Sequence, residues 1–187
     1  TQQLEKKIRE RIINPTLKAL KKINHSYTGF LYAGLMICNN DPYLIEYNVR
    51  MGDPECQVIM MRLQTDLLEI INSAVSNKLK DLQIEWSKKS SISIVMCAKG
   101  YPLNYIKNSE IKKFKNILMD QDNQIFHAGT YIKNNRIYSN GGRVLNITSL
   151  HESLKQARER SLASIKKINW TDGFFRNDIG WKAINKK

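Results

Sequence analysis

The sequence predicts an α+β chain built as two consecutive units. Three observations predict it. A charged amphipathic helix is followed by a β-hairpin, a long helical stripe follows a loop bearing two carboxylates, and beyond a polar linker short apolar segments alternate with Asn and Gly turns.

Leu4, Ile8, Arg11 and Ile12 mark a helical stripe, and Pro15 either ends that helix or opens a second one over Leu17 to Ile23, closed by His25 and Ser26. Tyr27 to Cys38 reads as a strand. Asn39-Asn40-Asp41-Pro42 is a turn, and Tyr43 to Val49 is the returning strand. After the loop Arg50 to Cys56, the residues Met60, Leu63, Leu67, Ile70, Ile71 and Ala74 fall at helical spacing, which predicts one amphipathic helix. Lys78 to Lys89 reads as a polar linker. Strands are then expected at Ser91 to Ala98, Ile125 to Thr130, Tyr131 to Ile132, Arg136 to Ser139 and Arg143 to Thr148. Ser149 to Glu152 has capping-box spacing and predicts a helix running to Ile168, after which Phe174 to Trp181 returns as an edge segment.

The composition narrows the function classes. Lysine and arginine outnumber aspartate and glutamate by 30 to 17, a net charge of +13, which brings nucleic acid or an acidic membrane surface into consideration. The lysines are scattered through nearly every segment, however, and lysine, asparagine and isoleucine together supply a third of the chain. That pattern follows adenine- and thymine-rich codons and argues against a specific nucleic-acid partner. Cys38, Cys56 and Cys97 are odd in number, widely spaced and set among apolar residues, so they are expected to be buried thiols in a reducing compartment. No run approaches about 18 consecutive apolar residues, and no secretory signal is present, so no membrane partner is expected and the cytoplasm is the default location. Thr1 stands where an initiator methionine would be, at the edge of a helix, and the chain is expected to begin inside a larger protein.

The segment Ile45-Glu46-Tyr47-Asn48-Val49-Arg50 carries the candidate chemistry. A strand period of two puts Glu46, Asn48 and Arg50 on one face, with successive members about 6.6 Å apart at Cα. A carboxylate and an amide oxygen at that spacing can converge on a hard cation such as magnesium, leaving positions free for phosphate and water, while Arg50 can neutralise phosphoryl charge. An edge strand with a solvated polar face gives the same pattern. The loop Arg50-Met51-Gly52-Asp53-Pro54-Glu55 presents two further carboxylates and can receive an amine. Asn140-Gly141-Gly142-Arg143 can offer backbone amides and a guanidinium to an anion, or form a two-glycine turn with a surface arginine. His127 reads as a hydrogen-bonded structural histidine, and the Met60 to Ala74 stripe with Trp86, Trp170 and Trp181 reads as packing.

Tyr32-Ala33-Gly34-Leu35-Met36 followed by Glu46 to Glu55 closely resembles the glycinamide ribonucleotide synthetase family. Gly100-Tyr101-Pro102, Phe126 to Thr130, Asn140 to Leu145 and Asp178 to Trp181 are similar to that family's later motifs, in the same order. The resemblance implies the C-terminal half of an ATP-grasp domain over residues 1–89, then a small β-rich C-terminal domain with a packed helix over residues 90–187. It implies ATP-dependent joining of glycine to 5-phosphoribosylamine through glycyl phosphate, with magnesium or manganese as cofactor. It further implies that Glu46 and Asn48 are metal ligands, Arg50 is catalytic, and Asp53, Glu55, Gly141, Gly142 and Arg143 face substrate. The family's N-terminal part would precede Thr1, so this chain alone is expected to be inactive. Phe30 to Met36 lacks the acidic metal ligand that many ATP-grasp enzymes carry there. Another ATP-grasp carboxylate–amine ligase is the nearest rival, and a basic nucleic-acid-binding module the more distant one.

Overall fold

In the computed structural model, which describes residues 1–113, 117 and 119–185, the chain opens with a helical run that Pro15 does not end. α1 (Gln2–Ile8) passes through a wider π turn, Arg9–Ile13, into α2 (Asn14–Lys22). Proline has no N–H and crowds the carbonyl four residues back; the Asn14 amide, just before it, reaches five residues back to the Arg9 carbonyl. By contacts the chain divides into two units, Thr1–Gly52 with Thr65–Gln83, and Asp53–Gln64 with Ile84–Lys187.

In the first unit, β1 (Tyr32–Cys38) and β2 (Asp41–Asn48) pair antiparallel across Asn39-Asn40. Both asparagines have left-handed φ, 49° and 62°, which a two-residue turn matching strand twist requires. β1 begins later than Tyr27 because the Tyr27 hydroxyl donates to the Phe30 carbonyl at 2.6 Å and closes a loop. The register slips between Gly34 and Leu35, leaving Ile45 as an extra residue on β2. The helical run is tied to this hairpin by Lys7 and Arg11, 2.6 and 3.1 Å from Asp41 Oδ1, and by the Tyr47 hydroxyl, which meets Thr16 Oγ1 at 2.6 Å.

The stripe from Met60 to Ala74 is two helices, α3 (Glu55–Arg62) in the second unit and α4 (Leu67–Val75) in the first. Asp66 breaks it: its Oδ1 accepts from the Leu68 and Glu69 amides at 2.7 and 3.2 Å and starts a new helix. The expected linker is partly structured. It holds a single 3-10 turn, Leu79–Asp81, and its end pairs with the end of α3 through Gln64 N to Glu85 O (3.0 Å) and Ser87 N to Arg62 O (2.8 Å).

The second unit is organised by β3 (Ser90–Ala98) and β8 (Arg143–His151). With β5 (Asn123–His127) and β9 (Gly173–Phe175) they form an antiparallel sheet in the order β5-β8-β3-β9. β4 (Glu110–Ile111), β7 (Arg136–Ser139) and β6 (Thr130–Lys133) form a smaller three-stranded sheet in that order. One face of the larger sheet, carrying Ile94, Met96, Ile125, Leu145 and Ile147, is closed by α5 (Leu154–Ile165) and forms the core. Under it runs a buried chain of hydrogen bonds, Ser161 Oγ to Ser149 Oγ (2.8 Å), Ser149 Oγ to Asn123 Oδ1 (2.7 Å) and Asn123 Nδ2 to Ser164 Oγ (3.0 Å). α3 packs against β3 and β8. After β9 the chain ends in the short helix α6 (Trp181–Ile184).

Ser149 therefore belongs to a strand, contrary to the helix start expected of it. The cap is Ser153, four residues on, whose Oγ accepts from the Gln156 amide (3.2 Å) and donates to Gln156 Oε1 (2.8 Å). The cysteines also depart from expectation: Cys38 is exposed and Cys56 and Cys97 are half-buried, none bonded to another. Of the three tryptophans only Trp170 is buried; Trp86 and Trp181 are about half exposed. No helix among the described residues is long and apolar enough to cross a membrane. Ser153→Ala should lower the unfolding free energy by about 1 kcal/mol in urea denaturation; an unchanged midpoint would contradict the capping role.

Candidate functional site

The candidate residues fall into two groups, one in each unit. On the hairpin of the first unit, Glu46 pairs with Gly34 and Asn48 with Tyr32, so both stand on one face of β2. Asn48 Nδ2 donates to Glu46 Oε1 at 3.0 Å. That contact orients the amide so that Asn48 Oδ1 and the second Glu46 oxygen remain without a partner among the described residues. A carboxylate and an amide carbonyl are the hard oxygen donors a magnesium ion takes, so the chemistry of this pair fits one. Among the described residues there is no group of three or more His, Cys, Asp or Glu side chains placed to hold a metal. The pair therefore suits a cation that completes its shell with substrate oxygens and water. Gly34 makes room for it, since a Cβ there would lie 3.1 Å from Glu46 Cγ. The row does not extend to Arg50, because β2 ends at Asn48 and the Arg50 Nη1 donates to the Met51 carbonyl at 3.1 Å.

The second group lies in the other unit, where β8 begins. Arg143 pairs with Cys97 of β3 after a register slip, and its Nε lies 3.3 Å from Asp53 Oδ2. A slip of this kind re-aims the side chain beside it. Asp53 Oδ1 accepts from Asn146 Nδ2 (3.1 Å) and Gln57 Nε2 (3.0 Å). Glu55 opens α3, where a carboxylate complements the positive end of the helix.

Gly142 and Gly129 are required by close approach. A Cβ on Gly142 would sit 2.2 Å from Tyr101 Cδ2, and one on Gly129 2.8 Å from the Gly141 Cα. The Tyr101 ring thus lies on the turn that precedes Arg143, and the His127–Thr130 loop abuts it from another direction. Among the described residues neither the Gly141 nor the Gly142 amide donates a hydrogen bond. Amides without an acceptor and a guanidinium are the donor types that an anion takes.

His127 Nδ1 and Thr130 Oγ1 are 2.9 Å apart, and although the residue is exposed, partial desolvation of its ring holds the imidazole below its ordinary pKa. Burial likewise pushes the Cys97 thiol up, the nearby Arg143 guanidinium opposing it and Asp53 adding to it. Cys97 therefore stays a protonated thiol at neutral pH. Gln57, Asn146 and Gly34 had no assigned role in the sequence. For Gly34 a signal existed, a glycine inside a strand, which marks a close approach. For Asn146 there was none, because its partner lies 93 residues away.

Two family models match in succession. The ATP-grasp (A) domain of phosphoribosylglycinamide synthetase matches residues 1–56 and its C domain residues 91–182. The chain belongs to the phosphoribosylglycinamide synthetase family. It is 44% identical to the phosphoribosylamine–glycine ligase of Brucella melitensis over 94% of its own length and 41% of the relative's. It is 42% identical to the chloroplastic ligase of Arabidopsis thaliana over 100% of its length and 36% of the relative's. The crystal structure of the Thermotoga maritima ligase superposes with a TM-score of 0.75 at 33% identity, covering 92% of this chain and 42% of that one. A biotin carboxylase subunit of pyruvate carboxylase shares the fold at a TM-score of 0.60 and 16% identity, covering 96% of this chain and 40% of that one. This family member thus spans well under half the length of these relatives.

The His127 shift has a sign that can be tested. A depressed folded pKa means that the unfolded chain binds more protons, so the stability is complete above about pH 6.5 and is lost as pH falls toward the folded value. Acidification from about pH 7 to 5 should therefore destabilise wild type more than His127→Gln in urea melts; equal loss would contradict the lowered pKa of this ring.

Proposed function

We propose that this chain is the C-terminal part of an ATP-dependent phosphoribosylamine–glycine ligase, which joins glycine to 5-phosphoribosylamine with release of ADP and phosphate. One observation carries the reading: the ATP-grasp and C-domain models of a single ligase match the two parts of this chain in order. The candidate residues fit the chemistry that such a reaction needs.

In this reading a glycine carboxylate oxygen attacks the γ-phosphorus of ATP, ADP leaves, and the amine nitrogen of phosphoribosylamine attacks the resulting acyl carbon. A nitrogen–carbon bond forms, phosphate departs, and the amine loses a proton. Glu46 and Asn48 would hold a divalent cation, magnesium or manganese, which would supply positive charge to the nucleotide phosphates. Arg50 adds a guanidinium against phosphoryl charge, and Asp53 and Glu55 offer carboxylates to an ammonium. Arg143, with the Gly141 and Gly142 amides, takes the 5-phosphate of the amine substrate. The reaction is placed in the cytoplasm, although the Arabidopsis relative is named chloroplastic.

Screening amino acids for ADP release by the complete ligase polypeptide tests the substrate assignment. Glycine alone should drive release with phosphoribosylamine present; a preference for another acid would return the chain to the wider ATP-grasp group. Arg143→Ala should raise the KM for phosphoribosylamine by about tenfold or more, the loss of one charge-assisted contact, with little change for ATP. Equal effects on both substrates would remove the phosphate assignment.

A further inference from the structure

Asn146 is 0% exposed, on a face of the sheet where other polar groups close on one another, as Thr148 Oγ1 does with Ser93 Oγ at 2.9 Å. Its own side chain is only half satisfied. The Nδ2 group reaches Asp53, but Oδ1 is buried without a hydrogen-bond partner, and the same holds for Oε1 of Gln57, the other amide on Asp53. A buried, unpaired carbonyl destabilises a fold, and an aliphatic residue of similar shape would avoid that penalty. Both amides accept it at the same carboxylate oxygen. Their joint donation to Oδ1 sets the plane of the carboxylate and leaves Oδ2 to Arg143 Nε. The pair so fixed is reachable from solvent, with the Asp53 and Arg143 side chains 35% and 45% exposed. Among the described residues the Nη edge of Arg143 has no other partner.

We propose that Asn146 and Gln57 are positioning residues: they lock the Asp53 carboxylate and through it hold the Arg143 guanidinium toward the phosphate of the amine substrate. The proposal rests on the ligase reading above. Neither amide touches substrate; both act through the Asp53–Arg143 pair. Their retention at a cost in stability then has a physical reason, since a guanidinium whose Nε is ion-paired with Asp53 Oδ2 keeps its two terminal nitrogens for a bidentate contact with phosphate.

The test compares wild type, Asn146→Leu, Gln57→Leu, Arg143→Ala and the Asn146→Leu/Arg143→Ala double variant in the complete ligase polypeptide. Asn146→Leu should melt no lower than wild type, because it removes the unpaired carbonyl. Its KM for phosphoribosylamine should rise by about tenfold while kcat and the KM for ATP stay within about twofold. In the Arg143→Ala background the same substitution should add less than about twofold, because it acts through that arginine. Gln57→Leu, on α3, should show the same split and serves if Asn146→Leu does not fold. An unchanged KM in both leucine variants, or effects that multiply in the double variant, overturns the positioning role while leaving the ligase reading intact. Absence of glycine-dependent turnover in wild type removes the ligase reading and this proposal with it.

Discussion

The Asp53 carboxylate is the constraint on which the second unit's functional end depends. It receives one guanidinium and two amides, from β8 and from α3, and so pins the start of that helix to the central strand of the sheet. α3 packs against β3 and β8, while α5 closes the face on which the apolar core is built. β8 thereby serves two purposes along one strand. Its far end contributes Ser149 to a satisfied buried network, and its near end presents Arg143 after a register slip.

The two units differ in how they are held. The second has a continuous core of buried aliphatic residues. The first, among the described residues, buries little beyond Ile12, Pro42 and Gly52 and relies on polar ties from the helical run to the hairpin, while Tyr43, Leu44, Ile45 and Val49 stay exposed. A two-stranded hairpin is marginal by itself, so the Lys7–Asp41–Arg11 cluster matters more here than surface ion pairs usually do. Hydrogen bonding to Lys7 and the charges of Lys7 and Arg11 hold the Asp41 carboxyl below its ordinary range, so this tie weakens in acid as that carboxyl protonates.

Much of this was legible in the sequence where one local rule dominates. Strand alternation located the hairpin and β3, and Asn39-Asn40 marked its turn, because side-chain direction and left-handed backbone are local properties. Local rules misled where two of them competed. The 3.6-residue stripe ran through Asp66, yet a short carboxylate able to take two free amides outweighed periodicity and split the helix. Ser149 and Ser153 stand close together, and burial of Ser149 in the sheet left the capping role to its neighbour. The polar row of Glu46 and Asn48 was readable from spacing, whereas the clasp on Asp53 was not, since it joins residues distant in sequence. Spacing alone left a metal site and a solvated strand face both open, and the family resemblance is what favours the metal reading.

The most direct measurement of the central claim is ADP formation by the complete ligase polypeptide with magnesium, glycine and freshly generated phosphoribosylamine, comparing wild type with Glu46→Ala. The account predicts turnover that requires both substrates and collapses in the variant while its melting temperature holds. Turnover retained in Glu46→Ala would contradict the assignment of the hairpin pair to the metal, and none in a well-folded wild type would contradict the ligase itself.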